Sequence, residues 1–591
     1  MVASKLEQLP TEICTLILRQ LKSESDRKSL AQCSKHLYHV VISNIFSAIK
    51  RDYPPYDKTF VSKPILPGKY QYVKRLELFP RDAAMLDWCY HSGNHDNASG
   101  RKRAYDFMKE KSYAVKRRRG FSRKDDDTLV EKHTYDLITE RASALSDEKL
   151  EVFRWEMKTC VPGSLLGTYG VLPLKQKSLR RLLLATTSQC RLRNLGFFFN
   201  KEPNQTIDLS AFRMLEQIDW TTPNAVFIAT LSLAIKQNAG HLRRLHLHFD
   251  DWKRFKHRIR ETEFLADLSE DEAIEIGFAN RLFNAPSPRE HPTRHLFPEL
   301  RDLFLSDVPL SGELASAIDF RSLRSLGLHS CPGWDQFLLR SLSELENHQK
   351  LKKLEIQDDC TAPTTVERIL NEIICTVYRL EELFLSHLAP VGTLKMWENI
   401  THHQEDLRHF VHHQRQISGN DTKGYKRRIG DDLGDISLPC MEPIYPQFSG
   451  LNLESIGLSC EPKHFLNLLP SLKRMSSLKM IHIRHSYDDV RDCWAAPWDE
   501  SQKRTLRPEF REFIETVFGV DGLPSVEVIA YGDTSPHELY LFERKACLSF
   551  YGAEWNEYKV QHEVLMNKYR HAFEACSSRR RRLGIPPTGS I

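Results

Sequence analysis

Long apolar runs, paired cysteines and phosphate-binding glycine loops are all missing from this 591-residue chain. No apolar run approaches the ~18–20 residues that a membrane span needs, so no membrane association is expected. The first residues contain Lys5 and Glu7 but no apolar stretch of about 7–15 residues before a small-residue cleavage site, so no secretory signal is legible. The 13 cysteines form no CxxC pair. An odd, scattered set without an export signal points to reduced thiols in a cytoplasmic and/or nuclear protein. There is no GxxxxGK, GxSxG or HExxH sequence. The chain is therefore not expected to be an enzyme or to hold a cofactor.

What is present is an ordinary folding composition, 41% hydrophobic and 27% charged, with a net charge of +6. That balance allows a large buried core. Positive charge is bunched in Arg101–Arg103, Lys116–Arg119 and Arg579–Arg582. The first two clusters are spaced like a bipartite nuclear-import signal, although solvated basic loops give the same pattern. No aromatic residue falls inside these runs, so nucleic acid is not an expected partner.

The stretch LPTEICTLILRQL, from Leu9 to Leu21, is a small amphipathic helix opened by Pro10. Proline suits a first helical turn, and Glu12 complements the dipole there. Ile13, Ile17 and Leu21 then form one stripe. Ser25 or Asp26 is placed to cap a second helix running to Cys33, and Ser34 a third. Three short helices in about forty residues bury too little surface to stand alone. Such a unit is expected to complete its core against the next domain or another chain.

These residues carry a resemblance. Leu9-Pro10-x-Glu12-Ile13, then Ile17, Leu18, Leu21, Asp26, Leu30, Ser34-Lys35 and Leu37-Tyr38 resemble an F-box, the motif that docks on the Skp-type adaptor of SCF ubiquitin ligases. The resemblance implies an adaptor-facing surface of Leu9, Pro10, Ile13, Ile17, Leu18 and Leu21, completed by Leu30 and Leu37. The chain departs from the motif by an extra residue in the Lys22–Ser25 turn. It also has Arg27 and Lys28 where apolar residues are usual.

Beyond residue 150 one phrase returns: LEVFRW at Leu150, LRRLLL at Leu179, LRNLGF at Leu192, LEQIDW at Leu215 and LRRLHL at Leu242. It continues as LRDLFL at Leu300, LRSLGL at Leu323, LKKLEI at Leu351, LEELFL at Leu380 and LRHFVH at Leu407. The last are LESIGL at Leu453, LKMIHI at Leu478 and VEVIAY at Val526, with an early VKRLEL at Val73. Most neighbouring starts lie 23–29 residues apart, the period and core of leucine-rich repeats. The expected fold class is α/β: a short three-helix unit, then an irregular solenoid with a curved parallel sheet. The array is similar to the degenerate repeats of fungal F-box proteins, since only Asn200 and Cys331 clearly keep the signature Asn or Cys. The expected domains are 6–50, an F-box; 51–149, an irregular linker with basic clusters and a possible first repeat; and 150–535, the solenoid. Insertions are expected at 250–297 and 412–450, and 536–591 forms a C-terminal part. In that part Trp555 to Phe573 reads as a helix, followed by a basic disordered tail.

Positions three, five and seven of the phrase leave the core and line the strand face. They nominate Arg244, His246, His248, Phe304, His329, Phe384, His409, His482 and Arg484 as substrate contacts, unless an insertion or the tail covers them. The histidines of THHQEDLRHFVHHQ do not suggest a metal. In a strand His409 and His413 share a face but stand about 13 Å apart. The resemblance implies a substrate receptor that is held to a cullin scaffold by the adaptor and binds an unidentified protein. A non-degradative scaffold and a nucleic-acid-associated nuclear protein remain alternatives.

Overall fold

A computed structural model describes residues 9–21, 23–53, 67–80, 135–187, 207–249, 252–260, 262–265, 271–285, 295–345, 350–358, 363–387, 394–403, 405–414, 448–460, 462–484, 508–532, 540–545, 555–559, 563–569, 572–573 and 575. The chain divides into two compact units, one running to Ala285 with Leu296–Leu300 and the other from Arg301 onward.

The first unit opens with three helices, α1 (Thr11–Gln20), α2 (Glu24–Cys33) and α3 (Lys35–Ile45). Cys14, Leu18, Ala31, Leu37, Val40 and Val41 form their shared core. Ser34 caps α3 by accepting from the Leu37 N–H, as the sequence predicts. For α2 the cap is Ser23, whose hydroxyl accepts from the Ser25 and Asp26 N–H groups. The helix thus starts earlier than Ser25, because Ser23 already has the extended backbone a cap requires. Arg27 bends back to donate to the Leu21 carbonyl at 2.8 Å. A charged residue therefore closes the turn between α1 and α2.

Six parallel strands follow: β1 (Ala48–Tyr53), β2 (Arg75–Pro80), β3 (Val152–Trp155), β4 (Arg181–Ala185), β5 (Gln217–Thr221) and β6 (Arg244–His248). The sheet therefore begins at Ala48, inside the stretch that the sequence suggested was F-box and linker. The second unit holds β7 (Asp302–Ser306), β8 (Ser325–His329), β9 (Lys353–Asp358), β10 (Glu382–His387) and β11 (His409–Gln414). It continues with β12 (Ser455–Leu458), β13 (Met480–Ile483) and β14 (Val528–Tyr531), each parallel to the next. Every repeated phrase within the described residues is one of these strands; the phrase at Leu192 and Asn200 lie outside them.

Alternation explains the core. Leu326 and Leu328, Leu354 and Ile356, and Leu383 and Leu385 pair in register and are buried on one face. Helices such as Trp334–Leu345 and Pro363–Thr376 carry the chain back between strands. Buried amides then finish the turns. Gln176 accepts from the Lys149 and Leu150 N–H groups and donates to the Ser146 carbonyl. Asn238 accepts from the Leu215 N–H and donates to the Phe212 and Ala234 carbonyls. Each satisfies backbone groups that burial would otherwise strand.

The strand exits repeat as well. Thr222, Asp307 and Ser330, each one residue past a strand, take left-handed φ values of 54°, 55° and 50°. Their N–H groups donate to carbonyls at the end of the next strand, from His248, His329 and Gln357 respectively. Beside this turn Cys331 is buried and donates to the Leu305 carbonyl, and burial pushes its thiol pKa up to about 12. That thiol is a structural hydrogen-bond donor, not a nucleophile.

Two segments depart from the sequence reading. The insertion after β6 forms the helices Trp252–Arg260 and Asp271–Phe283, packed through Phe249, Trp252, Phe255 and Phe278. The insertion expected at 250–297 thus carries packed helices and joins the core of the first unit. The expected helix beginning at Trp555 is instead a strand, β16 (Trp555–Lys559), antiparallel to β15 (Tyr540–Arg544), which is antiparallel to β14. Among the described residues beyond it, Glu563–Lys568 forms a short helix. Alternating Trp555 and Glu557 fit a strand edge once β15 offers a partner. Arg544 explains why β15 sits there. Its guanidinium donates to the Val517 and Phe518 carbonyls at the end of the helix Pro508–Phe518 and to the Leu523 and Val526 carbonyls in the segment after it.

Candidate functional site

Two surfaces matter, and the first is α1. Ile13 and Leu16 are 42% and 53% exposed, and Pro10 is also exposed. Leu9, Ile17, Leu21 and Leu30 are half-buried. Leu18 and Leu37 are inside the three-helix core, so they support the surface from behind and do not form it. Leu16 was not among the nominated residues, because at helical spacing it lies beside the Ile13–Ile17–Leu21 stripe. Tyr38 on α3 is 44% exposed.

The second surface is the strand face made by positions three, five and seven. In the first unit it is most open on β5 and β6, whereas Glu77, Val152 and Ala185 on β2 to β4 are buried. Arg181 and Arg244 are exposed, and Gln217, Asp219, Thr221, His246 and His248 are half-buried. Asp219 and His246 pair in register, with Oδ2 and Nδ1 3.6 Å apart. Glu156 lies on the same face and is likewise half-buried. Burial raises its pKa, the Arg154 guanidinium partly opposes this, and Asp219 adds to it.

In the second unit the same positions are covered. Phe304, His329, Phe384, His482 and Arg484 are 6%, 4%, 0%, 1% and 1% exposed, and His409 is half-buried. Phe304, His329, Phe384, His482 and Arg484 therefore do not present a free contact surface. Part of the cover is the C-terminal segment. Leu565, Ala572 and Phe573 pack on Met480, Val528, Ala530 and Leu541. Ala575 packs on Phe384 and Val411, and the Phe573 ring lies 5.9 Å from that of His482. Lys568 and Tyr569 both bond to the Glu527 carboxylate, tying the segment to the strand ladder. Desolvation tends to raise the Glu527 pKa, but the Lys568 ammonium and Tyr569 hydroxyl bring it below the usual carboxylate value.

Beneath this cover the polar groups pair with one another. His329 Nε2 meets Glu355 Oε1 at 2.7 Å, and Lys353 bridges to Glu382 at 2.9 Å while lying over the Phe384 ring. Gly327 leaves the space that Phe304 fills: a Cβ there would stand 2.3 Å from Phe304 Cδ2. On the opposite face His387 and His412 share a hydrogen bond of 2.8 Å between their Nε2 atoms. Among the described residues no group of three or more His, Cys, Asp or Glu is placed to hold a metal. No helix among them is long and apolar enough to cross a membrane. The basic clusters at Arg101–Arg103, Lys116–Arg119 and Arg579–Arg582 lie outside the described residues.

No family model matches the chain, and no curated protein matches it in sequence. The chain is an α/β protein with long, mostly parallel sheets.

Proposed function

We propose that this chain is a non-catalytic receptor subunit of an SCF-type ubiquitin ligase. The three-helix unit is the F-box-like handle on a Skp-type adaptor, and the strand–helix array is a leucine-rich-repeat-like solenoid that recruits a protein. One observation supports the handle: α1 holds Pro10, Ile13 and Leu16 out of its own core, on a unit that by itself buries too little apolar surface to stand alone. Large side chains of this kind serve as interface anchors. Ubiquitin transfer would belong to other subunits, with this chain contributing proximity. The open face of β4–β6, including Arg244, His246 and His248, is the favoured recruiting surface, because the corresponding face of the second unit is covered.

Binding of purified full-length protein to the Skp-type adaptor tests this, alongside a variant with Ile13→Ala and Leu16→Ala. Both side chains are exposed, so the variant is expected to keep its thermal midpoint while losing adaptor binding. An adaptor that binds neither protein, or binds both equally, removes the ubiquitin-ligase reading. Adaptor binding without cullin assembly selects the scaffold alternative.

A further inference from the structure

We infer that Arg301 and Arg324, side by side at the entry to β7 and β8, are a docking site for an acidic protein segment. Both are exposed. They occupy position two of the repeated phrase, just before each strand, and the Arg324 N–H donates to the Arg301 carbonyl at 2.7 Å. Within each unit the same bond joins this position from repeat to repeat, so its side chains form a row of rungs about 4.8 Å apart. In the first unit the row reads Lys74, Glu151, Arg180, Glu216 and Arg243, with the charge alternating at every rung. In the second it reads Arg301, Arg324, Lys352, Glu381, Arg408, Glu454, Lys479 and Glu527. Alternation holds from Lys352 onward and fails across the first three rungs.

Alternation pairs the row. Lys74 meets Glu151 at 2.9 Å, Glu216 meets Arg180 at 2.8 Å and Arg243 at 3.2 Å, and Lys352 bonds to Glu381. Among the described residues neither Arg301 nor Arg324 makes an ion pair. The carboxylates of the surrounding turns and strands are engaged otherwise. Glu299 bonds to Arg243 at 3.4 Å, Asp319 accepts from the Arg321 N–H at 3.0 Å, and Asp302 has a partner of its own. Arg321 and Lys350, on the turns that lead into β8 and β9, are exposed and add two further cations. Like charges on neighbouring strands repel, and a bound carboxylate would relieve that repulsion.

The rest of the row identifies the missing group. Where Arg180 and Arg243 find a partner in the row, that partner is the carboxylate of Glu216. Carboxylates on an incoming segment would give Arg301 and Arg324 the same planar pairing, which suits the guanidinium fork. Nucleic acid fits less well. The uncompensated run is two rungs long, about 5 Å, before Lys352 and Glu381 restore pairing. A duplex backbone favours a longer, uninterrupted track of cations. Phe304, the aromatic residue of β7, is buried and does not offer a face for stacking on a base. What a docked segment is used for rests on the receptor reading; the docking itself does not.

The test uses full-length protein, a short poly-glutamate peptide carrying a fluorophore and a photoreactive group and, as comparator, a short DNA duplex. The wild type is expected to bind the peptide, with affinity falling as salt is added, and to crosslink to it between Arg301 and Lys352. The R324E variant is expected to weaken peptide binding at least about tenfold, in line with lost electrostatic complementarity. Its thermal midpoint should hold or rise, because the substitution restores alternation between Arg301 and Lys352. The control R180E makes the same change in net charge but places a third carboxylate between Glu151 and Glu216. Its midpoint should fall, while its peptide affinity stays within about twofold of the wild type. The proposal is overturned by no peptide binding, by crosslinks confined to other segments, by equal weakening in both variants, or by duplex binding that R324E weakens as strongly as peptide binding. Adaptor binding measured on the same samples is expected to stay unchanged, so failure of the docking site is distinguishable from failure of the handle.

Discussion

The strand faces of the two units are built from the same phrase but meet different surroundings. In β5 and β6, Asp219 and His246 stand side by side half in water. In β8 and β9, His329 and Glu355 form a diagonal cross-strand pair at 2.7 Å, with Glu355 at 0% exposure. On β5 and β6 the first unit keeps its polar side chains partly in water. The second closes its face with chain, at one end with the segment carrying Leu565, Phe573 and Ala575. Position in a repeat therefore says which way a side chain points but not whether that direction is free.

The comparison breaks most severely if the cover is removed. Deleting 563–591 would uncover Met480, Val528, Ala530 and Leu541 along with Phe384 and Val411. The loss of stability is expected to exceed that of the single change Phe573→Ala, which should cost about 3–5 kcal/mol. Denaturant unfolding of both variants measures this, and an unchanged midpoint in the deletion would mean the segment is not a structural cover.

The paired histidines sharpen the contrast at the next scale. His329→Ala removes the imidazole against a fully buried carboxylate and is expected to cost about 3–5 kcal/mol. His246→Ala, on the open face, is expected to cost under about 1 kcal/mol. Equal costs in thermal or denaturant unfolding would show that the two faces are not differently solvated.

A smaller effect is expected from Gly327→Ala. The new methyl group would press on the Phe304 ring, and overpacking of this kind costs about 1–3 kcal/mol. The structural measure is displacement of Phe304 and of the His329 ring that it meets at 4.7 Å.

The pH dependence should be slightest. The His403 pKa is lowered, chiefly by burial, despite its contact with the Ile374 carbonyl. The unfolded chain therefore takes up a proton before the folded one does. The stability contributed by neutral His403 is present above about pH 6.5 and is lost as pH falls below that value. His403→Gln should flatten this slope in unfolding experiments between neutral pH and about pH 5. A slope identical to the wild type would show that His403 does not contribute to it.

Much of the array was legible because its signal is local and repeated. The leucines of LRSLGL and LKKLEI alternate with a period of two, and the parallel ladder follows that period strand by strand. β1, β15 and β16 were not legible, since AIKRDY, YLFER and WNEYK lack the phrase and become strands only where an existing edge accepts them. Among the nominated contacts, Arg244, His246, His248 and His409 keep some exposure, whereas Phe304, His329, Phe384, His482 and Arg484 are covered. Phe304 and Phe384, apolar where the inner core did not need them, already carried a sign of that cover. The exposure of Leu16 was harder to read, because the helical stripe does not reveal which side of it α2 and α3 will occupy.

By itself the sequence determined the repeated strands, their alternation and the amphipathic opening helix, all products of neighbours a few residues apart. Tertiary structure alone decided that a segment near residue 570 lies on strands that begin as far back as Glu382, closing one unit's face while the other's stays open. Apolar burial is non-directional, so side chains pointing out of one core are equally able to enter another, and which of them do so depends on chain that is distant in sequence.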